Sequence, residues 1–335
     1  MGRPFAVRHM KDLYPLRMQP VFDPRPWGTF DLAPVYPDRK FDEKIGEAWL
    51  TGDHCQVENG PLAGSSLSKL SKEFGRALVG EAAPDAQRFP LLVKFLFPHD
   101  KLSVQVHPDD EAAREAGEPW GKTECWYVVH AKPDAQIALG LKSGVTRDDL
   151  ARAIHDKQAE DLLNWIPVHT GDMIYVAAGT VHTLGPGSIL VETQQQSDAT
   201  YRLYDYGRPR ELHLERGMAA VKEQVGSGKV ARSKNAASAT ELVASPYFIV
   251  EKNDLREARE FLTSESGATS AHVLVAIEGC AQIECEGCQP VTLAKSDAVV
   301  IPAVLGKYRI QPQWEVEFLC SRVPGTTRPA PETRL

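Results

Sequence analysis

Apolar and polar residues alternate along a short stretch about one third of the way through the chain. Leu102, Val104 and Val106 are apolar, and Gln105 and His107 alternate with them. Alternation with a period of two predicts a β-strand whose apolar side chains face a core. Gln105 and His107 are two residues apart, so both side chains lie on the other face and are available to a ligand.

Two further strands are expected to bring polar groups to the same place. An apolar strand, residues 125–129, follows Glu124, and another strand opens at His182 after an Ala-Gly-Thr turn. In a small antiparallel barrel these strands can run beside that of Gln105 and His107, and ligand sites are common in barrel mouths. Imidazole, carboxylate and amide oxygen are common ligands of divalent metals, so the four residues predict a metal site. A single strand histidine is more commonly a hydrogen-bonded core residue, and the Gln-x-His spacing alone is a weak pattern.

Helical periodicity appears in two places in the N-terminal half. Apolar residues recur at helical spacing in residues 67–81, which predicts one helix capped by Ser66 or Ser68. Residues 146–166 predict two short helices that form an insertion between strands.

One charged residue interrupts an otherwise apolar run. Residues 90–97 are typical of a buried strand, and Lys94 lies in their middle. A buried lysine is rare unless it is paired, so Lys94 is expected either to reach the surface or to point into the site.

The segment from Ser245 onward contains seven short strand-like runs at regular spacing. This spacing is typical of an antiparallel barrel or sandwich. The sequence therefore predicts a mainly β protein of two jelly-roll, cupin-like barrels with a small helical insertion in the N-terminal half. The expected parts are a metal-binding domain at 1–225 with insertions at about 66–81 and 146–166, a linker at 226–244, and a C-terminal domain without metal at 245–335.

Composition and charge narrow the class of protein. A length of 335 residues suggests two domains, and 42% hydrophobic and 25% charged residues are ordinary for a soluble chain. A net charge of −7 without a basic block argues against nucleic acid or an anionic membrane as a partner. No apolar run approaches the roughly 18 residues that a membrane helix needs, and the first residues lack the apolar core of a signal peptide.

Two of the six cysteines have a spacing that can carry chemistry. Cys285 and Cys288 form a CxxC pattern, which occurs in zinc and redox sites. They have no second pair and no βαβ pattern around them, and Glu286 with Gly287 suits a two-residue hairpin turn. The pair is therefore expected to flank a turn in a reduced, cytoplasmic protein.

Three longer motifs connect these observations: FPLLVKFLFPHDKLSVQVHPDDE, GKTECWYVV and AAGTVHTLGPGSILVETQQQSDATYRLYDYGR. In this order they resemble the class I mannose-6-phosphate isomerases in their short bacterial form. The resemblance implies a cupin fold and one zinc ion held by Gln105, His107, Glu124 and His182. These are the same four residues that the strand spacing indicates.

The resemblance also implies an activity and roles for further residues. The family interconverts mannose 6-phosphate and fructose 6-phosphate, so a small sugar phosphate is the expected partner. Lys122 and Glu192 match polar positions lining the family's pocket, and Arg202 matches a catalytic cation near the substrate oxygens or phosphate. Lys94 and Arg208 are candidates for binding the phosphate. Glu192 is open between a role as base and a structural ion pair with Arg202.

Two other functions stay open at this point. A cupin with histidine and carboxylate ligands can bind iron and activate oxygen, although a set that includes glutamine differs from the usual two-histidine, one-carboxylate pattern. Alternatively, the chain is a sugar-phosphate-binding protein that kept the site without turnover. The presence of Lys122, Glu192 and Arg202 argues against this non-catalytic alternative.

Overall fold

The protein is mainly β, as predicted from its hydrophobic pattern. The structure is a computed structural model that describes residues 12–231, 239–265 and 267–335. Residues 1–11, where no signal peptide was expected, and residues 232–238 of the expected linker lie outside the described residues. The strands in chain order are β1 Leu16–Met18, β2 Val21–Thr29, β3 Ile45–Trp49, β4 Leu91–Leu96, β5 Val104–Val106, β6 Glu124–Ala131, β7 Gln136–Leu141, β8 Leu163–Pro167, β9 Met173–Val176, β10 His182–Leu184, β11 Ser188–Gln195, β12 Tyr201–Tyr204, β13 Gly228–Val230, β14 Ala239–Ala244, β15 Ile249–Leu255, β16 Arg259–Leu262, β17 Ser264–Glu265, β18 Ala268–Thr269, β19 His272–Glu284, β20 Val291–Ala294, β21 Ala298–Ile301, β22 Lys307–Arg322 and β23 Thr333–Arg334.

The helices are short and few. The α-helices are α1 Leu67–Phe74, α2 Arg76–Val79, α3 Asp110–Glu115, α4 Arg147–His155 and α5 Leu214–Ala220, and 3₁₀ turns occur at Gly60–Leu62, Ala159–Leu162 and Ala303–Leu305. None of the helices described is long and apolar enough to span a membrane.

The helix predicted over residues 67–81 is broken at Gly75. Ser66 caps its start, accepting a hydrogen bond from the Lys69 amide at 3.3 Å, as the sequence indicated. Gly75 has φ 51° and ψ −131°, a conformation that non-glycine residues rarely adopt, so α1 ends and α2 begins there.

The second of the two helices predicted in residues 146–166 is a 3₁₀ turn followed by strand β8. Leu163 pairs with Leu141 and Ile166 with Ile137 on β7. Pairing with this neighbouring strand satisfies the backbone of the segment better than an isolated helical turn does, so tertiary context overrides the local pattern.

Contacts divide the chain into two compact units. Counting described residues only, the first unit comprises Pro20–Gly52, Leu91–Glu251 and Arg328–Leu335, and the second comprises Met1–Gln19, Asp53–Pro90 and Lys252–Thr327.

This division differs from the consecutive domains expected from the sequence, because the second unit includes a segment from the N-terminal half. The Ala82 amide donates to the Thr269 carbonyl at 2.9 Å, and the Ala271 amide donates to the Val79 carbonyl at 3.1 Å. These bonds attach the end of α2 to the C-terminal strands, so the helical segment near 66–81 belongs with those strands. At the other end, residues 245–251 and 328–335 group with the first unit.

The first unit is built from two antiparallel sheets. One has the strand order β2-β3-β4-β11-β6-β9-β13-β23, and the other has the order β12-β5-β10-β7-β8. Trp126 and Leu190 of the first sheet share a buried cluster with Ile137 and Leu139 of the second. The two sheets therefore pack face to face around one core.

The second unit has its own core around β19, β21 and β22. Leu274, Val299, Tyr308 and Phe318 are buried together there. The hairpin turn between β19 and β20 carries the CxxC pair on its flanks, as expected. The sulfurs of Cys285 and Cys288 are bonded as a disulfide, which corrects the expectation of reduced thiols.

Candidate metal centre and its cavity

The four predicted metal ligands meet inside the first unit. Gln105 lies on β5, His107 follows it directly, and His182 is the first residue of β10. The two strands run side by side and antiparallel, as expected from the sequence, and the structure places His182 opposite Gln105. Glu124 is the first residue of β6 and reaches the same place from the other sheet.

Three of these residues form a compact and buried donor group. His107, Glu124 and His182 each offer one ligand atom within 4.8 Å of the others, and all three are buried. The carboxylate oxygens of Glu124 lie 3.4 Å from His107 Nε2 and 3.3 Å from His182 Nε2. The side-chain amide of Gln105 lies 3.2 Å from His182 Nε2, which adds a fourth polar group.

Backbone carbonyls fix both imidazoles in one tautomer. His107 Nδ1 lies 2.9 Å from the Ala199 carbonyl, and His182 Nδ1 lies 2.9 Å from the Thr180 carbonyl. Because a carbonyl oxygen can only accept, each Nδ1 must carry the proton and donate it. Each Nε2 then keeps its lone pair towards the centre, which is the arrangement that a metal-binding histidine requires. The residues therefore fit a divalent ion.

The protonation states agree with this arrangement. Burial lowers the pKa of His107, and Lys122 lowers it further, while burial also lowers the pKa of His182. Burial alone would raise the pKa of Glu124, but Lys122 and His182 outweigh it and bring the pKa to about 2. At neutral pH the centre therefore presents two neutral imidazoles and a carboxylate, the forms that bind metal.

A lysine and a second carboxylate lie against the centre. Lys122 Nζ is 2.8 Å from Glu124 Oε2 and 3.0 Å from His107 Nε2. It is also 3.8 Å from Glu192 Oε1, and Glu192 accepts a hydrogen bond from Trp126 Nε1 at 3.2 Å. The structure thus brings Lys122 and Glu192, both predicted site residues, to the edge of the donor group.

A cavity of about 360 Å³ opens onto this centre. That volume is in the usual range for a pocket that binds a small metabolite. Its walls carry both charges and apolar groups, from Pro24, Arg25, Pro26, Trp27, Glu47, Lys94, Leu96, Leu102, Ser103, Gln105, Lys122, Glu124, Trp126, Leu184, Glu192, Asp198, Thr200, Arg202 and Arg210.

Two arginines stand close together in the cavity wall. Arg202 donates from Nη1 to the Glu211 carbonyl at 2.7 Å. Arg210 donates from Nε and Nη2 to the two carboxylate oxygens of Asp205, each at 2.7 Å. Partial burial lowers the pKa of Arg202, and the neighbouring Arg210 lowers it further. Among the cavity-lining cations in the described part of the chain, Arg202 alone forms no ion pair with a carboxylate. Its charge is available to an anion.

The two predicted phosphate ligands are placed differently from one another. Lys94 lines the cavity, but its amino group lies between Glu47 at 3.3 Å and Glu192 at 3.1 Å. Arg208 bonds Asp205 at 3.0 Å and Asp100 at 2.9 Å, and it is outside the set of described residues that line the cavity. Arg208 therefore reaches the site only through the Asp205 that also holds Arg210.

Sequence reasoning missed several lining residues. Arg25 and Glu47, from β2 and β3, and Asp198 and Thr200, ahead of β12, all face the cavity, as does Arg210. Glu47 carried a usable signal, because it lies in the short apolar run IGEAW just as Lys94 lies in its own run. Asp198, Thr200 and Arg210 stand in irregular segments where alternation says nothing about direction, and Arg25 lies in a part of β2 where the register shifts.

The chain is similar to proteins of one family over most of its length. The family model for the catalytic domain of type I phosphomannose isomerase matches residues 16–119. The mannose-6-phosphate isomerase of Streptococcus mutans is 32% identical over 314 residues, which are 90% of this chain and 96% of that one. The mannose-6-phosphate isomerase ManA of Bacillus subtilis is 42% identical over 222 residues, 62% of this chain and 68% of that protein.

Solved structures show the same likeness. The crystal structure of the mannose 6-phosphate isomerase from Bacillus subtilis superposes with a TM-score of 0.81 at 33% identity, covering 92% of this chain and 99% of that one. A zinc-bound mannose 6-phosphate isomerase superposes with a TM-score of 0.73 at 16% identity, over 91% and 98% of the two chains. At that identity the second comparison speaks for the fold alone.

Proposed function

Because this chain belongs to the type I mannose-6-phosphate isomerases, we propose that it interconverts mannose 6-phosphate and fructose 6-phosphate in the cavity beside His107, Glu124 and His182. The observation that carries the proposal is the convergence of a metal-type donor group, an adjacent lysine and carboxylate, and an unpaired arginine in one cavity. An aldose–ketose isomerase needs these groups to polarise oxygen, move a proton and hold an anion.

Zinc is the metal we propose for the centre. The neutral imidazoles and the carboxylate suit that ion, and a structural neighbour with the same fold is a zinc-bound mannose 6-phosphate isomerase. His107, Glu124, His182 and Gln105 would hold it, with the Gln105 amide turned so that its oxygen faces the centre. When bound, zinc supplies a Lewis acid for the carbonyl and hydroxyl oxygens of the substrate.

Glu192 and Lys122 are the proposed proton carriers. The reaction moves a proton from C2 of mannose 6-phosphate to C1, and a second proton passes from O2 to O1 as the carbonyl shifts from C1 to C2. The two groups lie 3.8 Å apart on the same wall, so either can hold the proton between the two carbons while the other stabilises the charge that develops. Trp126 fixes Glu192 through its Nε1 hydrogen bond, which limits the directions in which the carboxylate can point.

Arg202 is proposed to receive the negative charge of the substrate, with Arg210 beside it. An unpaired guanidinium in a partly buried wall is costly unless an anion compensates it, and it can contact phosphate oxygens at two points. Arg208, proposed from the sequence to bind phosphate, acts in this arrangement through Asp205 and Arg210.

A coupled assay of fructose 6-phosphate formation from mannose 6-phosphate tests the proposal. We expect turnover in the purified protein, its loss on removing metal with a chelator, and its return on adding zinc. Binding of mannose 6-phosphate without turnover in the zinc-loaded protein would favour the non-catalytic alternative. Substrate-dependent oxygen consumption with iron would favour the oxygenase.

A further inference from the structure

A buried carboxylate, Glu47, sits at the centre of a row of charges inside the first unit. Its side chain is 10% exposed. Its oxygens accept from Arg25 Nε at 3.2 Å, from Trp49 Nε1 at 2.7 Å and from Lys94 Nζ at 3.3 Å. No role in the reaction described so far uses Glu47, although a carboxylate in an apolar strand carries a large cost of desolvation.

The next member of the row connects Glu47 to a proposed proton carrier. Lys94 is 5% exposed, and its amino group lies 3.1 Å from Glu192 Oε2 as well as 3.3 Å from Glu47 Oε2. The same amino group lies 5.3 Å from the centre of the Trp49 ring, a cation–π distance. Lys94 is therefore clamped between two carboxylates over an aromatic face.

The sheet explains why these side chains meet. Lys94 on β4 pairs with Glu192 on β11 and with Trp49 on β3, and Glu47 is two residues before Trp49. Residues two apart on a strand face the same way, and diagonal neighbours on adjacent strands are within reach of long side chains. Three adjacent strands thus present Glu47, Lys94 and Glu192 in a row on one face.

Glu47 and Lys94 are both held in their charged forms. Burial alone would raise the pKa of Glu47, but Lys94 and Arg25 outweigh it and bring the pKa below its ordinary value. Burial alone would lower the pKa of Lys94, but Glu192 and Glu47 outweigh it and raise the pKa. If either charge moves away, the other loses one of its two ion-pair partners at a largely buried position.

We propose that Glu47 is a positioning residue for the isomerase reaction, holding Lys94 so that Lys94 in turn fixes the Glu192 carboxylate against the cavity. This inference rests on the proposed function. Lys94 uses its amino group inside the row, so it acts on the reaction through Glu192. Without Glu47, the Lys94 ammonium has one carboxylate partner instead of two, and it moves towards Glu192 and draws that carboxylate out of line.

The variants Glu47→Gln and Glu47→Asp test the proposal. Glu47→Gln keeps the size and the Trp49 hydrogen bond but removes the charge, so we expect kcat to fall roughly 10- to 100-fold, the scale of a misplaced catalytic group. We expect KM for mannose 6-phosphate to change by less than about threefold, because the Glu47 oxygens are already engaged by Arg25, Trp49 and Lys94. Zinc content should stay at one ion per chain, and Glu47→Asp, which keeps the charge, should recover part of kcat.

A double variant separates positioning from an independent role. If Glu47 acts only through Lys94, then Glu47→Gln combined with Lys94→Met should match Lys94→Met alone within about twofold in kcat. Glu265→Gln is the control for breaking a partly buried ion pair, because Glu265 pairs with Arg322 at 3.0 Å within the second unit. We expect that control to keep kcat within about twofold of the wild type.

Three outcomes would overturn the inference: a raised KM with normal kcat in Glu47→Gln, loss of zinc in that variant, or losses that add in the double variant. If Glu47→Gln does not fold, Arg25→Gln is the second variant, because it removes the other ion-pair partner of Glu47. The Arg25 side chain is 28% exposed, so its replacement disturbs the fold less. A smaller fall in kcat is expected there, and an unchanged kcat would overturn the inference. A wild-type protein without isomerase activity would instead count against the proposed function.

Discussion

His182 and Gln105 face each other directly across two antiparallel strands, and their side-chain nitrogens lie 3.2 Å apart. The pairing is far apart in sequence and depends on the whole first unit being folded. Because His182 Nδ1 donates to the Thr180 carbonyl, its Nε2 carries a lone pair, which accepts a hydrogen bond from the Gln105 amide nitrogen. The same Nε2 lone pair is the one that a metal ion would take from His182, and turning the Gln105 amide would present its oxygen to that ion.

The first prediction concerns the metal content. The purified protein should hold about one divalent ion per chain, zinc before others, because the donor group offers one set of ligands. His107→Ala or His182→Ala should abolish binding, since each removes an imidazole from a three-residue group. Elemental analysis of protein prepared without chelator measures this directly.

His155→Ala is the matched control for the loss of a histidine. The His155 side chain is 89% exposed on α4, as the sequence indicated, and lies outside the donor group. Its removal should leave metal content unchanged. Loss of metal from His155→Ala, or a full metal content of about one ion per chain in His107→Ala, would contradict the proposed set of ligands.

The second prediction separates Arg202 from Arg208. Arg202→Ala should lower kcat by roughly 100-fold or more, the usual cost of losing one preorganised charge that acts in the transition state. Metal content should stay normal, because a guanidinium does not bind metal. Arg208→Ala should chiefly raise KM, since Arg208 reaches the cavity only through Asp205 and Arg210.

Steady-state kinetics of Arg202→Ala and Arg208→Ala, together with metal analysis, measure whether kcat or KM changes in each variant. Turnover by Arg202→Ala close to that of the wild type would mean that Arg202 is a structural residue whose part is to hold the Glu211 backbone. A fall in kcat for Arg208→Ala as large as that for Arg202→Ala would remove the distinction between the two.

The sequence predicted the centre better than its surroundings, and the reason lies in the periodicity of strands. Gln105 and His107 share a face because a strand repeats every two residues, so no tertiary information is needed to pair them. The charge of Glu47 in an apolar run is a signal of the same kind as that of Lys94, but the sequence does not show that the two side chains meet across adjacent strands. Arg210 stands in an irregular segment, where the direction of a side chain depends on contacts distant in sequence.

Local propensity also failed where a neighbouring element decided the outcome. Residues 163–167 have an amphipathic pattern that suits a helix, yet they form strand β8 by pairing with β7. The break at Gly75 was visible as a glycine within a helical pattern, but the pattern could not tell a tolerated glycine from one that ends the helix.

The third prediction concerns two glycines at the ends of α2. Gly75→Ala should destabilise the protein by about 1–3 kcal/mol, because alanine is strained in that backbone conformation although the space is open. Gly80→Ala should cost more, since Gly80 has φ 91° and an added Cβ would lie 2.3 Å from the Thr269 carbonyl oxygen. That carbonyl also accepts from the Ala82 amide, so it cannot withdraw freely. Urea unfolding of both variants measures the difference, and equal losses would contradict the close approach at Gly80.

The fourth prediction is an acid sensitivity that originates in the second unit, at His272. This histidine is 5% exposed, and its Nδ1 lies 2.8 Å from the Tyr308 hydroxyl. Burial lowers the pKa of His272, and Arg322 lowers it further, to about 3. Above the ordinary histidine pKa of 6.5, the folded and unfolded chains both hold a neutral ring, so pH has no effect through this group.

Between pH 6.5 and about 3 the unfolded chain binds a proton at His272 that the folded chain refuses. The free energy of unfolding should therefore fall as the pH falls through this window, by about 1.4 kcal/mol per pH unit once the unfolded ring is fully protonated. His272→Gln removes that proton and should flatten the dependence, whereas His155→Gln, on the exposed surface of α4, should leave it as in the wild type. Release of metal from His107 and His182 in acid affects all three proteins equally, so it cancels in the differences between them. Urea unfolding at pH 8, 7, 6 and 5 supplies the curves, and wild-type and His272→Gln curves that run parallel from pH 7 to 5 would show that His272 takes up its proton in the folded state.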